Sequence, residues 1–497
     1  MKHLPLSMLL VCMALLLATF PQTKKTFAQA AQQDDSCENV CSCEGFTAEN
    51  LENEELQDHE YDDNLQPITG SDCFKNWFAL KFYYSYNKDE FLQQMRKDCE
   101  ECRAGPSAPP AQESGLLKVL IEQDPYVNED KSYIGVVADS VTYLSLLLVN
   151  NDPYRAMTAT VSQPSLGIVL DMNNQEIEQG KMTIQPAGKV ELRYFPPEYI
   201  NESDLTERVS LDNGHFAYGA PVIVYFDFES ENGDYREQVE KGLLIFRPPV
   251  ILVHGYFGSP DTWEFFNNRL SVHKFYVFVG TYLPGWENSS IDDMAVTLKK
   301  DIDDLLLLSR KNYIKISRVD VVTHSMGGLI TRLYIDNNPE TMAVRKLIML
   351  ATPNHGVNDW QRYTRIAGSW WYKTQFFASG QLNADNNIFA YLNQYEPTLG
   401  HLNQTVEYAN IIGQASCGPN CPDDAVVPIA SAHMNGVVEY IFDKTIHSSS
   451  LHSLDVVGYS ILPFGPDDTG ITDSSLVVDK VIELLTTKIL RANPDVP

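Results

Sequence analysis

The sequence predicts a multi-domain chain that ends in an α/β domain, a mostly parallel sheet with helices on both faces. Three changes of texture along its 497 residues carry that expectation. Cysteines crowd the first hundred residues, short β-type runs fill about 116–247, and beyond Arg247-Pro248-Pro249 apolar strands alternate with amphipathic helices. Alternating β and α elements favour parallel strands, because each parallel pair needs a long crossover and the crossover helix covers the sheet. A chain of this length exceeds one ordinary core, so two or three domains are expected.

The first segment reads as a secretory signal over 1–30. Met1-Lys2-His3 is a basic start, Met8 to Ala18 an apolar stretch, and Ala28-Gln29-Ala30 a small-x-small cleavage site. Export is therefore expected, to a secreted, extracellular or periplasmic location, with no membrane span in the mature chain. Cys12 leaves with the signal. The remaining cysteines are Cys37, Cys41, Cys43, Cys73, Cys99, Cys102, Cys417 and Cys421. An even set in an exported chain favours disulfides over a redox or zinc reading of Cys99-x-x-Cys102. Residues 31–105 are thus expected to form a small disulfide-stapled domain, because so short a chain buries little core unaided. Gly105 to Gly115 is a Pro, Ser and Ala-rich linker. Runs such as LLKVLI, KVELRYF and PVIVYFDF over 116–247 read as an antiparallel, immunoglobulin-like sandwich, an accessory domain.

A hydrophobic content of 44% with 11% aromatics is that of a globular protein. The formal net charge of −29 argues against nucleic acid as a partner and against electrostatic docking on anionic membranes. No His, Cys or carboxylate spacing matches a zinc site, and no cofactor is expected. Asn201-Glu-Ser, Asn288-Ser-Ser and Asn403-Gln-Thr are acceptor patterns for N-glycans.

The chemistry concentrates in the last domain, 248–497. VILVHG, FYVFVG, RVDVVTHS, RKLIMLATPN, 409–416 and 437–443 read as strands; a segment near Trp263, Ile291 to Ser309, Gly327 to Asn337 and Ser474 to Leu490 read as helices. Functional groups of open α/β sheets collect at the carboxyl ends of strands. Ser325 lies at such an end, in VDVVTHSMGGLITRLY, and a sharp strand-to-helix turn needs small neighbours on both sides. Thr323-x-Ser325-x-Gly327 meets this in part. The plain alternative is a helix cap, but His254-Gly255 closing an earlier strand favours a nucleophile.

VHGYFG, THSMGG and ATPNHG, in that order and spacing, resemble the lipases and esterases of the α/β-hydrolase superfamily. The similarity is to small bacterial lipases and to the lipase-like family that includes the inositol deacylases of GPI anchors. It covers about Pro249 to Leu490 and leaves the first two domains outside. Thr323 replaces the Gly usual in that turn. The resemblance implies Ser325 as nucleophile, an oxyanion hole from the N–H groups of Met326 and Tyr256, and structural roles for His254 and His324.

An acid and a base should follow in the order Ser, Asp, His. Asp424 is the expected acid, in a turn resembling the family's Asp-Gly-x-Val, with Ala425 replacing Gly and Asp423 as rival. The strand ending at Ala351-Thr352-Pro353-Asn354 offers no carboxylate at its tip. His447 is the expected base, four residues beyond Asp443 in a stretch like the family's histidine loop; His452 is the alternative, and His433 reads as an ordinary loop residue. Between Gly356 and Asn403 lies an insertion holding Trp360, Tyr363, Trp370, Trp371, Tyr372, Phe376 and Phe377. It reads either as a cap lining an acyl pocket or as a segment packed on the core. The expectation is an exported serine hydrolase of carboxylic esters, with acyl-ester or lipid substrates. An acyltransferase or phospholipase would share its nucleophile, and the N-terminal domains offer docking surface. A non-catalytic binding protein on the same scaffold is the rival class.

Overall fold

The computed structural model describes residues 115–124, 131–212, 214–255, 258–280, 290–357, 387–393, 402–416, 423–424, 426–449 and 467–490, and ahead of these only 47, 49, 50, 53, 71, 73 and 92. The expected signal peptide, most of the Cys-rich segment and linker, Cys417, Cys421 and the aromatics of the insertion lie outside the described residues. Cys73 is buried and disulfide-bonded. Glu113–Leu211 with His215–Pro497 form one compact unit, and Met1–Gln112 with Asp212–Gly214 another.

Strands fill the region up to Phe246. They are β1 (Leu117–Ile121), β2 (Gly135–Val137), β3 (Leu144–Asn150), β4 (Met157–Ser162), β5 (Ile168–Leu170), β6 (Lys181–Ile184), β7 (Lys189–Phe195), β8 (Glu207–Ser210), β9 (Phe216–Ser230) and β10 (Arg236–Phe246). One sheet runs β1-β3-β7-β5; the other contains β2-β10-β9-β4-β6 with β8 on β9. Leu117, Leu146 and Tyr194 of the first sheet and Met157, Val224 and Phe226 of the second share one core. β9 shows why: Val222, Val224, Phe226 and Phe228 are buried, while Ile223, Tyr225, Asp227 and Glu229 between them are exposed, the two-residue period of a half-buried strand.

The second half adds β11 (Val250–Val253), β12 (Val277–Val279), β13 (Ile314–Lys315), β14 (Val319–His324), β15 (Val344–Leu350), β16 (Glu407–Gln414), β17 (Val438–Asp443), β18 (Thr445–Ile446) and β19 (Thr469–Gly470). Six of them form a parallel sheet ordered β12-β11-β14-β15-β16-β17. The helices are α1 (Glu264–Val272), α2 (Ile291–Lys311), α3 (Met326–Asn337), α4 (Asn387–Leu392), α5 (Ile429–Ala432) and α6 (Ser475–Thr486). The sheet is buried on both faces. Val253, Val321 and Met349 face α2 and α3, whereas Leu252, Val322 and Leu350 face α1 and α6. Ser290 and Asp293 close the start of α2 as a reciprocal capping box. α6 stops at Thr486, short of the expected Leu490. The Thr486 and Thr487 hydroxyls bond back to the carbonyls of Ile482 and Glu483, and the buried Lys346 ammonium takes those of Leu484 and Thr487.

The strand-rich half and the parallel-sheet half are joined by hydrogen bonds. β13, from the second half, pairs with β2 and so extends the sheet that contains β2-β10-β9-β4-β6. The Ser317 and Arg318 N–H groups donate to Asp139 Oδ2 at 2.9 and 3.0 Å, and Arg310 forks onto Asp124 at 2.6 and 2.8 Å. Arg345 on β15 forks onto Asp320 on β14 at 2.8 and 2.6 Å, both fully enclosed, and donates further to the carbonyls of Ala138, Glu198 and Leu485. Removing one partner of such a pair strands a buried charge. Asp320→Ala is expected to lower the unfolding free energy by about 3–5 kcal/mol, and the apolar double change Asp320→Leu with Arg345→Met by less, as read by urea denaturation.

Candidate active site

β11 and β14 lie side by side, but the chain leaves β11 toward one edge of the sheet and β14 toward the other. Their carboxyl ends therefore flank the crevice at which such sheets place ligands. Ser325 sits there between β14 and α3 at φ 54°, ψ −127°, a conformation costing a residue with a side chain about 1–3 kcal/mol. Its N–H donates to the Leu350 carbonyl at 2.8 Å, and its carbonyl accepts from the Gly328 N–H at 3.1 Å and the Thr352 hydroxyl at 3.0 Å. Two backbone bonds and one from a side-chain hydroxyl thus hold the turn.

Glycine is required where the backbones converge. A Cβ on Gly255 would stand 2.5 Å from Ser325 Cβ, and one on Gly327 2.5 Å from the Val253 carbonyl oxygen. Thr323 is a buried strand residue whose hydroxyl lies 3.5 Å from the Ile348 carbonyl. Met326 is the first residue of α3, a position whose N–H has no partner within the helix and lies at its positive end. Tyr256 and His452 lie outside the described residues.

Two further loops reach Ser325. β17 ends at Asp443, and a short parallel pair, β18 with β19, carries the chain on to His447. The chain after β16 folds so that the Asp423 carbonyl accepts from the Ala415 N–H and Asp424 points inward. His447 Nε2 is 2.9 Å from Ser325 Oγ, and His447 Nδ1 is 2.8 Å from Asp424 Oδ2. Asp424 Oδ1 accepts from the Val426 and Val427 N–H groups at 3.0 and 2.6 Å, and the Asp424 carbonyl accepts from the His447 N–H at 2.8 Å. The carboxylate is nearly fully enclosed and accepts on both oxygens, so Nδ1 carries the proton and Nε2 is free to take one. Ser325, His447 and Asp424 are brought together. The carboxylate at His447 is that of Asp424, not Asp423. His433 is half-exposed and bonds Glu439 at 2.7 Å.

Neighbouring histidines complete the surroundings. His254 Nδ1 is 3.0 Å from the Gly255 carbonyl, and burial draws its pKa down despite that bond. Burial also draws the His324 pKa well below the ordinary value, with the nearby His447 adding to the effect. Sequence reasoning gave no contact for Thr352, Asn354 or Arg332. Arg332, inside α3, donates to Asn354 Oδ1 at 3.0 Å and to Asn393 Oδ1 at 2.7 Å, and Asn354 Nδ2 donates to the Ala432 carbonyl at 2.8 Å. Thr352 and Asn354 both belong to ATPNHG, so the motif itself was the available signal.

Residues 248–398 match the family model for the alpha/beta hydrolase fold. No curated protein matches the sequence. Similar solved structures include the phospholipase PlaB from Legionella pneumophila, 17% identical over 48% of this chain and 60% of that one, with a TM-score of 0.38. The same phospholipase in complex with thio-NAD is 20% identical over 37% of this chain, with a TM-score of 0.31. The matched stretch spans 44% of that phospholipase chain and 60% of the other, less than two thirds of either. The mature lipase BlEst2 from Bacillus licheniformis is 15% identical over 48% of this chain and 92% of its own, with a TM-score of 0.35.

Two outcomes follow from the site's construction. Glycine tolerates the backbone of Ser325, whereas alanine keeps the strain, so Ser325→Gly should be the more stable variant by about 1 kcal/mol in chemical denaturation. His254 and His324 are neutral in the folded state with lowered pKa values. As pH falls below about 6.5 the unfolded chain takes up these protons first. Stability is thus full above that pH and declines below it, and His324→Gln should flatten the decline in a pH series of thermal midpoints.

Proposed function

We propose that this chain, with the alpha/beta hydrolase fold in its second half, is an exported serine hydrolase of carboxylic esters, acting on lipid or other acyl esters. One observation carries the reading: on a strained strand-to-helix turn, Ser325 Oγ lies 2.9 Å from His447 Nε2, and His447 Nδ1 lies 2.8 Å from Asp424. A serine hydroxyl is a poor nucleophile until a base takes its proton. In this reading His447 Nε2 takes that proton as Oγ attacks the ester carbonyl, and Asp424 holds the ring and stabilises the imidazolium. The N–H groups of Met326 and Tyr256 receive the charge on the carbonyl oxygen. The imidazolium then gives its proton to the leaving alcohol, which departs and leaves an acyl group on Ser325. Water attacks the acyl-enzyme, its proton passing to His447, and the acid is released as Ser325 recovers its proton.

The aromatic-rich stretch between Gly356 and Asn403 supports an apolar acyl group as substrate. An alcohol in place of water would make the same site an acyltransferase. The disulfide-rich segment and the strand-rich half, read as an immunoglobulin-like accessory sandwich, supply docking surface rather than chemistry.

The test is labelling of the mature protein with a fluorophosphonate, mapping of the modified peptide, and turnover of p-nitrophenyl esters of increasing chain length. Labelling should fall on Ser325 and vanish in Ser325→Ala. Asp424→Asn should lower kcat on the order of 10⁴-fold by losing the correct tautomer of the base. His447→Ala should abolish labelling while His452→Ala retains it. A folded protein that the probe never modifies would instead favour a binding role.

A further inference from the structure

His324 precedes Ser325 in the chain, yet its side chain serves His447. Its Nε2 lies 3.0 Å from the His447 backbone carbonyl, an acceptor, so Nε2 carries the proton and donates it. The His324 ring lies against the His447 ring with centroids 4.7 Å apart, and meets the buried Trp263 edge-on at 6.5 Å. His447 also donates its own N–H to the Asp424 carbonyl and its Nδ1–H to Asp424 Oδ2. The backbone carbonyl of His447 is thus gripped from the nucleophile's strand, and its backbone N–H from the acid's loop.

We propose that His324 is a positioning residue of the hydrolase, which fixes the backbone of His447 so that Nε2 stays over Ser325 Oγ. The inference rests on the reading of Ser325 as nucleophile. Its physical basis is the distance involved: β18 is two residues long, and His447 leaves it at once for a loop. A shift of about 1 Å in a reacting group can cost about 100-fold in rate. The donor must be neutral, because a charged ring there would oppose the imidazolium that forms on His447. Burial keeps it so. The ring packs against both Trp263 and His447, so the donor is already held before substrate binds.

The experiment compares the full chain with His324→Leu and His324→Gln. Glutamine places its amide N–H at the same bond count from the backbone as imidazole Nε2, and leucine supplies bulk without a donor. Three quantities are read: kcat and KM on p-nitrophenyl butyrate, the rate of fluorophosphonate labelling at Ser325, and the thermal midpoint. The leucine variant should lose about 10- to 100-fold in both kcat and labelling rate with KM little changed, and the glutamine variant should recover most of that loss. A leucine variant that labels at the wild-type rate would overturn the inference. So would equal losses in both variants with equally lowered midpoints, which would mark a packing role alone. Wild-type protein unlabelled at Ser325 sinks the hydrolase reading itself, a result distinct from either.

Discussion

The close approach of three backbone segments at the carboxyl ends of β11 and β14 governs the rest of the site. Gly255, Gly327 and Gly328 have no side chains to interpose, and a Cβ on Gly328 would stand 2.1 Å from Thr352 Oγ1. That proximity lets α3 start directly beside β11 and forces Ser325 into its positive-φ conformation. The strain is borne because the bonds from Ser325 to Leu350, Gly328 and Thr352 over-determine the turn. The result is a hydroxyl that leaves the strand direction and stands beside the positive end of a helix.

The base and acid reach the same point from the far side of the sheet, and their support differs in kind. Ser325 rests on a strand paired on both sides, whereas His447 and Asp424 come from loops. Those loops are stiffened by polar contacts. Asp424 gives one oxygen to two backbone N–H groups and the other to His447, while Gly413 on β16 leaves room for both the Thr445 carbonyl of β18 and the Asp424 side chain to come close to that strand. The Arg332–Asn354–Asn393 group, in which Arg332 and Asn354 are buried, ties α3 to the loops beyond β15 and α4. Such networks specify one arrangement when fully bonded.

Away from the crevice, the opposite end of the sheet carries the bonds that make the strand-rich and parallel-sheet halves one unit. Arg345 and Asp320 satisfy each other, and the remaining guanidinium donors go to carbonyls from both halves. The two-residue strand β13 does the same with backbone groups. Chemistry and scaffold are thus separated along the strands, which leaves the carboxyl ends free for loops.

What the sequence determined alone was whatever is local. The alternation of strands and helices after Pro249 and the strand–Ser–helix order around Ser325 are each written in a few consecutive residues, and the structure forms both where the sequence predicts them. Tertiary structure decided what depends on chain segments far apart. Asp423 and Asp424 are chemically identical neighbours, and only the fold of their turn directs Asp424 to a ring that is 23 positions on. The end of α6 at Thr486 depends on Lys346 from β15, and β13 is too short to show any period. Nor does the sequence bring His324 to the His447 carbonyl, 123 positions away, because a hydrogen bond needs its two atoms within about 3 Å and only the assembled sheet and its loops set that distance.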